Sequence, residues 1–257
     1  MKNLISFALL LFVFQISAQN SSPYANTSLV HLKSISPALE ASLHNLEATF
    51  LSCREHQSSS DIIVSEIALN WLNTNNIVFE TIVSDLKQKI DHDNASMDLL
   101  RSQKDGEEWY NIYRTFDEVQ AKLLEIANSS SIATLINLGY SYENRAINGL
   151  KFSTGGTDKP AVFFNGCQHA REWITVMATT YFADQLAQEF IANSFTETLL
   201  DIVDVYIVPI VNPDGYVYTH TTDRYWRKNR QPNANSSCVG TDLNRNWDAD
   251  WNGGEST

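Results

Sequence analysis

Asn165-Gly-Cys-Gln-His-Ala-Arg-Glu-Trp173 follows a short apolar run, Ala161-Val-Phe-Phe164, and precedes a long apolar stretch from Ile174 to Phe190. Gly155-Gly156 and Pro160 bound the run upstream. A short apolar run between breakers reads as a buried strand, and the longer stretch reads as a helix. The nine residues therefore sit where a strand hands over to a helix, and ligands gather at the carboxyl ends of strands in open α/β sheets. Inside them is His169-x-x-Glu172. An imidazole and a carboxylate three residues apart face one point if the chain turns helically there. Both are zinc ligands, one through neutral nitrogen and one through hard oxygen. Alone, His-x-x-Glu is a common surface pair, and its place at a strand end beside Arg171 gives it weight.

The chain around this junction alternates strands and helices. Thr115-Phe-Asp-Glu118 is a capping box opening a helix with Val119, Leu123 and Ile126 on one side, and Ser129-Ser-Ser131 stops it. Ala133 to Leu138 and Ala146 to Phe152 read as a hairpin-like pair of strands. The first half of the helix after Trp173 is rich in Ala, Met, Tyr and Phe, which predicts deep burial. Ser194-Phe-Thr-Glu197 is a second capping box, for a short helix. Val203 to Val211 is a strand whose Pro209 marks an edge or end, and Asn212-Pro-Asp-Gly215 reads as a turn. This order predicts an α/β fold with a sheet between helices over residues 109–257. A small α+β unit is expected over 31–90: Asp61 caps a helix carrying Ile63, Ile67 and Trp71, a strand runs from Ile77 to Val83, and a short helix follows from Asp85 to Ile90. Residues 19–30 read as a disordered leader. The polar stretch 91–108 reads as a linker whose Arg101 and Lys104 suit a trypsin-like protease.

Composition narrows the class. The 257 residues carry a net charge of −12, which argues against nucleic acid as a partner. In so acidic a chain the cluster Arg224-Tyr-Trp-Arg-Lys-Asn-Arg230 reads as a local anion site for a small substrate. A basic start at Met1-Lys2, an apolar segment from Leu4 to Phe14 and small residues up to Ala18 read as a secretory signal peptide over 1–18. That segment is too short to span a bilayer, so a secreted, extracellular protein with no membrane partner is expected. An oxidising setting leaves at least one of Cys53, Cys167 and Cys238 unpaired within the chain. Asn20, Asn26, Asn94, Asn128 and Asn235 head glycosylation triplets, which matter only in a eukaryotic source.

Three ordered blocks carry a more specific likeness: His169-Ala-Arg-Glu-Trp173, Asn212-Pro-Asp-Gly-Tyr216 leading to Arg224-Tyr-Trp-Arg-Lys228, and Asp242-Leu-Asn-Arg-Asn-Trp247. Together they resemble the zinc metallocarboxypeptidases of the carboxypeptidase A/B family, and the unit before them resembles, less strongly, that family's activation (pro) domain. The resemblance implies a mixed α/β sheet and one zinc ion held by His169, Glu172 and a third ligand beyond residue 257. It implies Arg227 as the oxyanion-stabilising residue, Asn244 and Arg245 as the grip on a substrate's terminal carboxylate, and Arg171 as a subsite residue. Asp242 is implied as the partner that orients His169 through its other N–H. A guanidinium, always charged and multiply donating, suits both arginine roles. Trp173 and Trp247 read as packing residues, Cys167 as a buried free thiol, and Cys238 resembles a family cysteine whose disulfide partner lies further on.

The implied activity is hydrolysis of the C-terminal peptide bond of peptides and proteins, by a monomer made as a precursor and activated by a protease at the linker. The third ligand, the general base and the pocket-base residue of the family do not occur up to Thr257, so the chain reads as the N-terminal part of a longer proenzyme, and residues 1–257 are expected to be inactive. Two other readings compete. One is a non-catalytic truncated product that binds peptide termini. The other is a related zinc hydrolase of N-acyl amino acids, against which the Asn244-Arg245 block and the pro-like unit argue.

Overall fold

The computed structural model describes residues 22–51, 59–102, 106–192, 194–234, 236 and 238–248. The signal peptide, Cys53, Lys104, Asn20 and Asn235 lie outside the described residues.

The first unit is an antiparallel sheet of order β2-β3-β1-β4, with β1 at Thr27–Leu32, β2 at Thr49–Phe50, β3 at Ser60–Ser65 and β4 at Glu80–Val83. Helices α1 (Pro37–Asn45) and α2 (Glu66–Thr74) pack on it around Val30, Leu32, Leu43, Ile62, Val64 and Leu72. Three expectations change here. The helix expected from Asp61 is a strand up to Ser65, because β3 is paired on both sides and buries Ile62, Ile63 and Val64. The cap of α2 is Ser65, whose side chain accepts from the Ala68 amide. Part of the stretch expected as a leader over 19–30 is structured: β1 begins at Thr27, and Tyr24 is buried.

Most of the stretch read as a linker is helix. Helix α3 runs Leu86–Ser102, laced by Lys87–Asp91 and Lys89–Asp93 pairs one turn apart. Such pairs let a polar sequence hold a helix without a large apolar face. A 3-10 turn, Gly106–Asn111, leads into the second unit.

There α4 (Phe116–Ser129) begins at the expected capping box, with both reciprocal bonds of Thr115 and Glu118 present. The second sheet has order β5-β6-β8-β7, from Ala133–Tyr140, Ala146–Phe152, Asp204–Val208 and Ala161–Asn165 respectively. β5, β6 and β8 run antiparallel, while β7 is parallel to β8. The crossover between β7 and β8 is α5 (Trp173–Ala192) and α6 (Ser194–Ile202). The core of this unit gathers Leu123, Ile126, Leu150, Phe152, Ala183, Leu200 and Ile207.

The burial expected for β7 is not found, and the start of α5 is deeply buried on one face only. Phe163 is 48% exposed, Tyr181 49% and Ile174 62%. The reason is topological: β7 is an edge strand among the described residues, so α5 packs only the face carrying Val176, Thr180, Ala183 and Ala187. Asn212-Pro-Asp-Gly, read as a turn, is instead the start of helix α7 (Pro213–Thr221), with Asn212 as N-cap and Pro213 in the first turn. Trp247, read as a packing residue, is 56% exposed beyond the last 3-10 turn.

Candidate metal centre and its arginine

Parallel β7 and β8 end side by side, and the loops that follow them are stitched together. Gly166 N–H donates to the carbonyl of Val208 (3.0 Å), and Val211 N–H donates to that of Gly166 (3.2 Å). The approach is close enough that a Cβ at residue 166 would meet the Pro209 carbonyl oxygen at 2.7 Å. Cys167 then takes a left-handed φ of 56°, and its amide donates to Thr175 Oγ1 (2.9 Å). This turn delivers His169 and Glu172 to the carboxyl end of the sheet, as expected from the junction.

His169 is buried, and Nδ1 lies 2.8 Å from Glu172 Oε1. The other nitrogen, Nε2, lies 3.2 Å from Asp242 Oδ1, an ion-pair distance off the line of a hydrogen bond. Asp242 Oδ2 accepts from Arg227 Nε at 2.7 Å. One carboxylate therefore touches both the imidazole and the guanidinium. Burial of His169 works against its protonation, but Asp242 and Glu172 outweigh burial and raise its pKa. Burial would raise Glu172, yet His169 and the Arg227 charge hold it below the usual range. Asp242 is driven well below the ordinary carboxylate range: burial opposes this, and the contacts with His169 and Arg227 prevail.

Asp242 also caps the 3-10 turn Leu243–Arg245 by accepting from the Asn244 amide (3.0 Å). Asn244 and Arg245 thus project from a turn rooted on the same carboxylate, with Arg245 Nη1 bonded to the Asn244 carbonyl (3.0 Å). Arg171 points elsewhere. Its Nη2 donates to the Leu51 carbonyl of the first unit (2.6 Å), and Nη1 reaches that of Tyr225 (3.4 Å).

Behind the site, Trp173 is buried and donates from Nε1 to Thr219 Oγ1 (2.7 Å). His220 stacks on it at 3.9 Å, and the Arg224 guanidinium lies 3.7 Å from its ring centroid. His220 is thus a packing group, and burial with the Arg101 and Arg224 charges lowers its pKa to about 4. Cys167 is a buried free thiol pushed upward by burial, and Cys238 is free and exposed.

The sequence missed Asn212. Buried to 2% exposure, it donates from Nδ2 to the carbonyls of Gln168 and Lys228 (3.1 Å each), while Oδ1 accepts from the Gly215 amide. The available signal was Asn followed by Pro, a helix-start pattern as much as a turn pattern.

His169 Nδ1 and Glu172 offer one nitrogen and one carboxylate oxygen to a common point, a donor set that fits zinc. Among the described residues no group of three His, Cys, Asp or Glu surrounds such a point. Also among the described residues, no helix is long and apolar enough to cross a membrane.

Comparison with known proteins bears on the family and the fold. The chain is 37% identical over 186 residues to carboxypeptidase A2 of Rattus norvegicus, covering 71% of this chain and 44% of that protein. It is 36% identical over 182 residues to carboxypeptidase A1 of Homo sapiens, covering 70% and 43%. It therefore spans less than half the length of these relatives. The structure resembles the carboxypeptidase A from Helicoverpa armigera (TM-score 0.76, 26% identity, 91% of this chain and 60% of that one). It also resembles thrombin activatable fibrinolysis inhibitor (TM-score 0.75, 25% identity, 89% and 61%). A family profile described as zinc carboxypeptidase matches residues 119–257, more than half of the chain. The chain belongs to the zinc carboxypeptidase family.

Proposed function

We propose that this chain is part of a secreted zinc carboxypeptidase precursor that removes C-terminal residues from peptides. The observation that carries the reading is the orientation of His169: Nδ1 faces Glu172 while Nε2 faces a carboxylate that also holds Arg227. An acidic partner on the far nitrogen is the usual companion of a metal-bound imidazole, because it fixes the ring and strengthens the ligand. His169 and Glu172 would hold the zinc. When bound, zinc supplies Lewis acidity to a carbonyl oxygen and to water.

The other roles belong to the protein's own groups. Arg227, kept in place by Asp242, presents a fixed positive charge beside the pair, suited to an oxyanion. Arg245 and Asn244 offer a guanidinium fork and an amide to a terminal carboxylate. An internal peptide bond presents no such group, so the activity is exopeptidic.

The precursor reading rests on the docking of the first unit. Arg171, the subsite residue of the resemblance, donates to the Leu51 carbonyl, so a backbone carbonyl of the first unit engages that guanidinium. The Tyr24 hydroxyl donates to the Asp223 carboxylate and accepts from the Tyr225 amide (2.8 Å).

The test is titration of the purified chain with Zn²⁺, followed by peptide binding. Weak uptake of one zinc per chain is expected, because two of the three ligands implied by the resemblance are present, and it should be lost in His169→Ala and Glu172→Ala. A peptide with a free C-terminus should bind the loaded chain at least about tenfold tighter than its C-terminal amide, since charged hydrogen bonds contribute about 1.5–3 kcal/mol. Arg245→Ala should erase that difference. Equal binding of acid and amide overturns the carboxylate reading, and no zinc uptake overturns the metal reading.

A further inference from the structure

From Asp223 to Asp242 the described chain has no helix or strand of its own, only a single bridge between Pro232 and Val239. Arg227 lies in this stretch, so its position is set by contacts made from outside. Its own carbonyl accepts from the Ala170 amide (3.0 Å). The next carbonyl, of Lys228, accepts from Asn212 Nδ2, and the same amide nitrogen donates to Gln168, the residue before His169. One side-chain NH₂ group therefore ties the segment bearing the histidine to the segment bearing the arginine. Gly215 reinforces the seam, because a Cβ there would meet the Lys228 carbonyl oxygen at 2.6 Å.

We propose that Asn212 is a positioning residue that sets Arg227 against the His169–Glu172 pair. This rests on the reading that these three residues share one reactive centre. A helix cap needs only the side-chain oxygen, and Ser, Thr or Asp would cap α7 as well. Two donations to two carbonyls need an amide NH₂, which none of those residues has. The amide is locked in place by its own cap bond to Gly215 N–H (3.1 Å), so its donors keep a fixed aim. Small displacements of a charged group beside reacting atoms cost rate steeply, about 10²-fold for 1 Å.

The experiment is nuclear magnetic resonance on the metal-free chain, reading solvent exchange of the Ala170 amide and of Arg227 Nε–H. Asn212→Asp keeps the shape and the capping oxygen but loses both donors. Asn212→Ser keeps a capping oxygen and is too short to reach the two carbonyls. In both variants these two protons should exchange at least about tenfold faster, while the Tyr216 and Thr222 amides of α7 stay within about twofold of the parent. Unchanged exchange at Ala170 and Arg227 overturns the proposal, as does equal loosening of α7 in both variants, which would make Asn212 a cap alone. Cobalt(II) is added to each sample in parallel and read by its visible absorption. A parent chain that takes no cobalt while the exchange pattern holds defeats the metal reading and leaves the positioning role standing.

Discussion

Asp242 concentrates three duties in one side chain: it faces the imidazole of His169, accepts from Arg227 and caps the turn bearing Asn244 and Arg245. Asp242→Asn separates them. An amide still caps the turn but no longer balances the charges beside it. Zinc affinity should fall about 10- to 100-fold, the usual cost of losing the group behind a ligating histidine. Titration against a chelating dye measures this, and an unchanged affinity would remove Asp242 from the metal site. His-x-x-Glu was legible in the sequence because its spacing acts locally. The role of Asn212 was not, because its bonds to Gln168 and Lys228 exist only once β7 and β8 bring two distant loops together.

At the scale of elements, caps and burial set the stability. Thr115→Ala removes one half of the capping box of α4 and should cost about 1 kcal/mol, read as a lower urea midpoint with unchanged slope. His220 on α7 gives a pH signature. Its pKa falls from an ordinary value near 6.5 to about 4 in the folded chain, so the unfolded chain binds the proton more readily. The stability it lends is complete above pH ~6.5 and is lost as the pH falls toward ~4, by roughly 3 kcal/mol across that window. His220→Phe keeps an aromatic on Trp173 and should flatten that part of the stability–pH curve. A variant curve parallel to the parent's would discount His220. β6, β7, α4 and α5 are legible from their residues because their apolar patterns are long or sharply bounded. It misled at Asp61–Trp71, where residues four apart straddle the junction of β3 and α2. Strand pairing on both sides buries Ile62, Ile63 and Val64 together, so the alternation that would mark a strand is absent.

The whole molecule is two sheets joined through α3, whose Ile90 packs against the cluster of Leu29 and Ile63 and whose Met97 packs against that of Trp173 and Tyr216. Arg101 at the end of α3 donates to Asp98 and to the Tyr113 carbonyl (2.8 Å each) and lies 3.6 Å from Glu118. A protease needs an extended, free segment, so trypsin should be slow to cut after Arg101, which closes helix α3. Glu118→Gln should speed that cut. Amino-terminal sequencing of timed digests decides this, and early cleavage after Arg101 would show that α3 does not guard it.

The reach of Asp242 also bears on the newborn chain. At about 5–20 residues per second, a ribosome adds Asp242 roughly 4 to 15 seconds after His169. Until then Glu172 is in place for Nδ1, while Nε2 lacks the carboxylate it faces in the folded protein. Translation order therefore makes the final fixing of the ring a late event, completed when the downstream aspartate emerges.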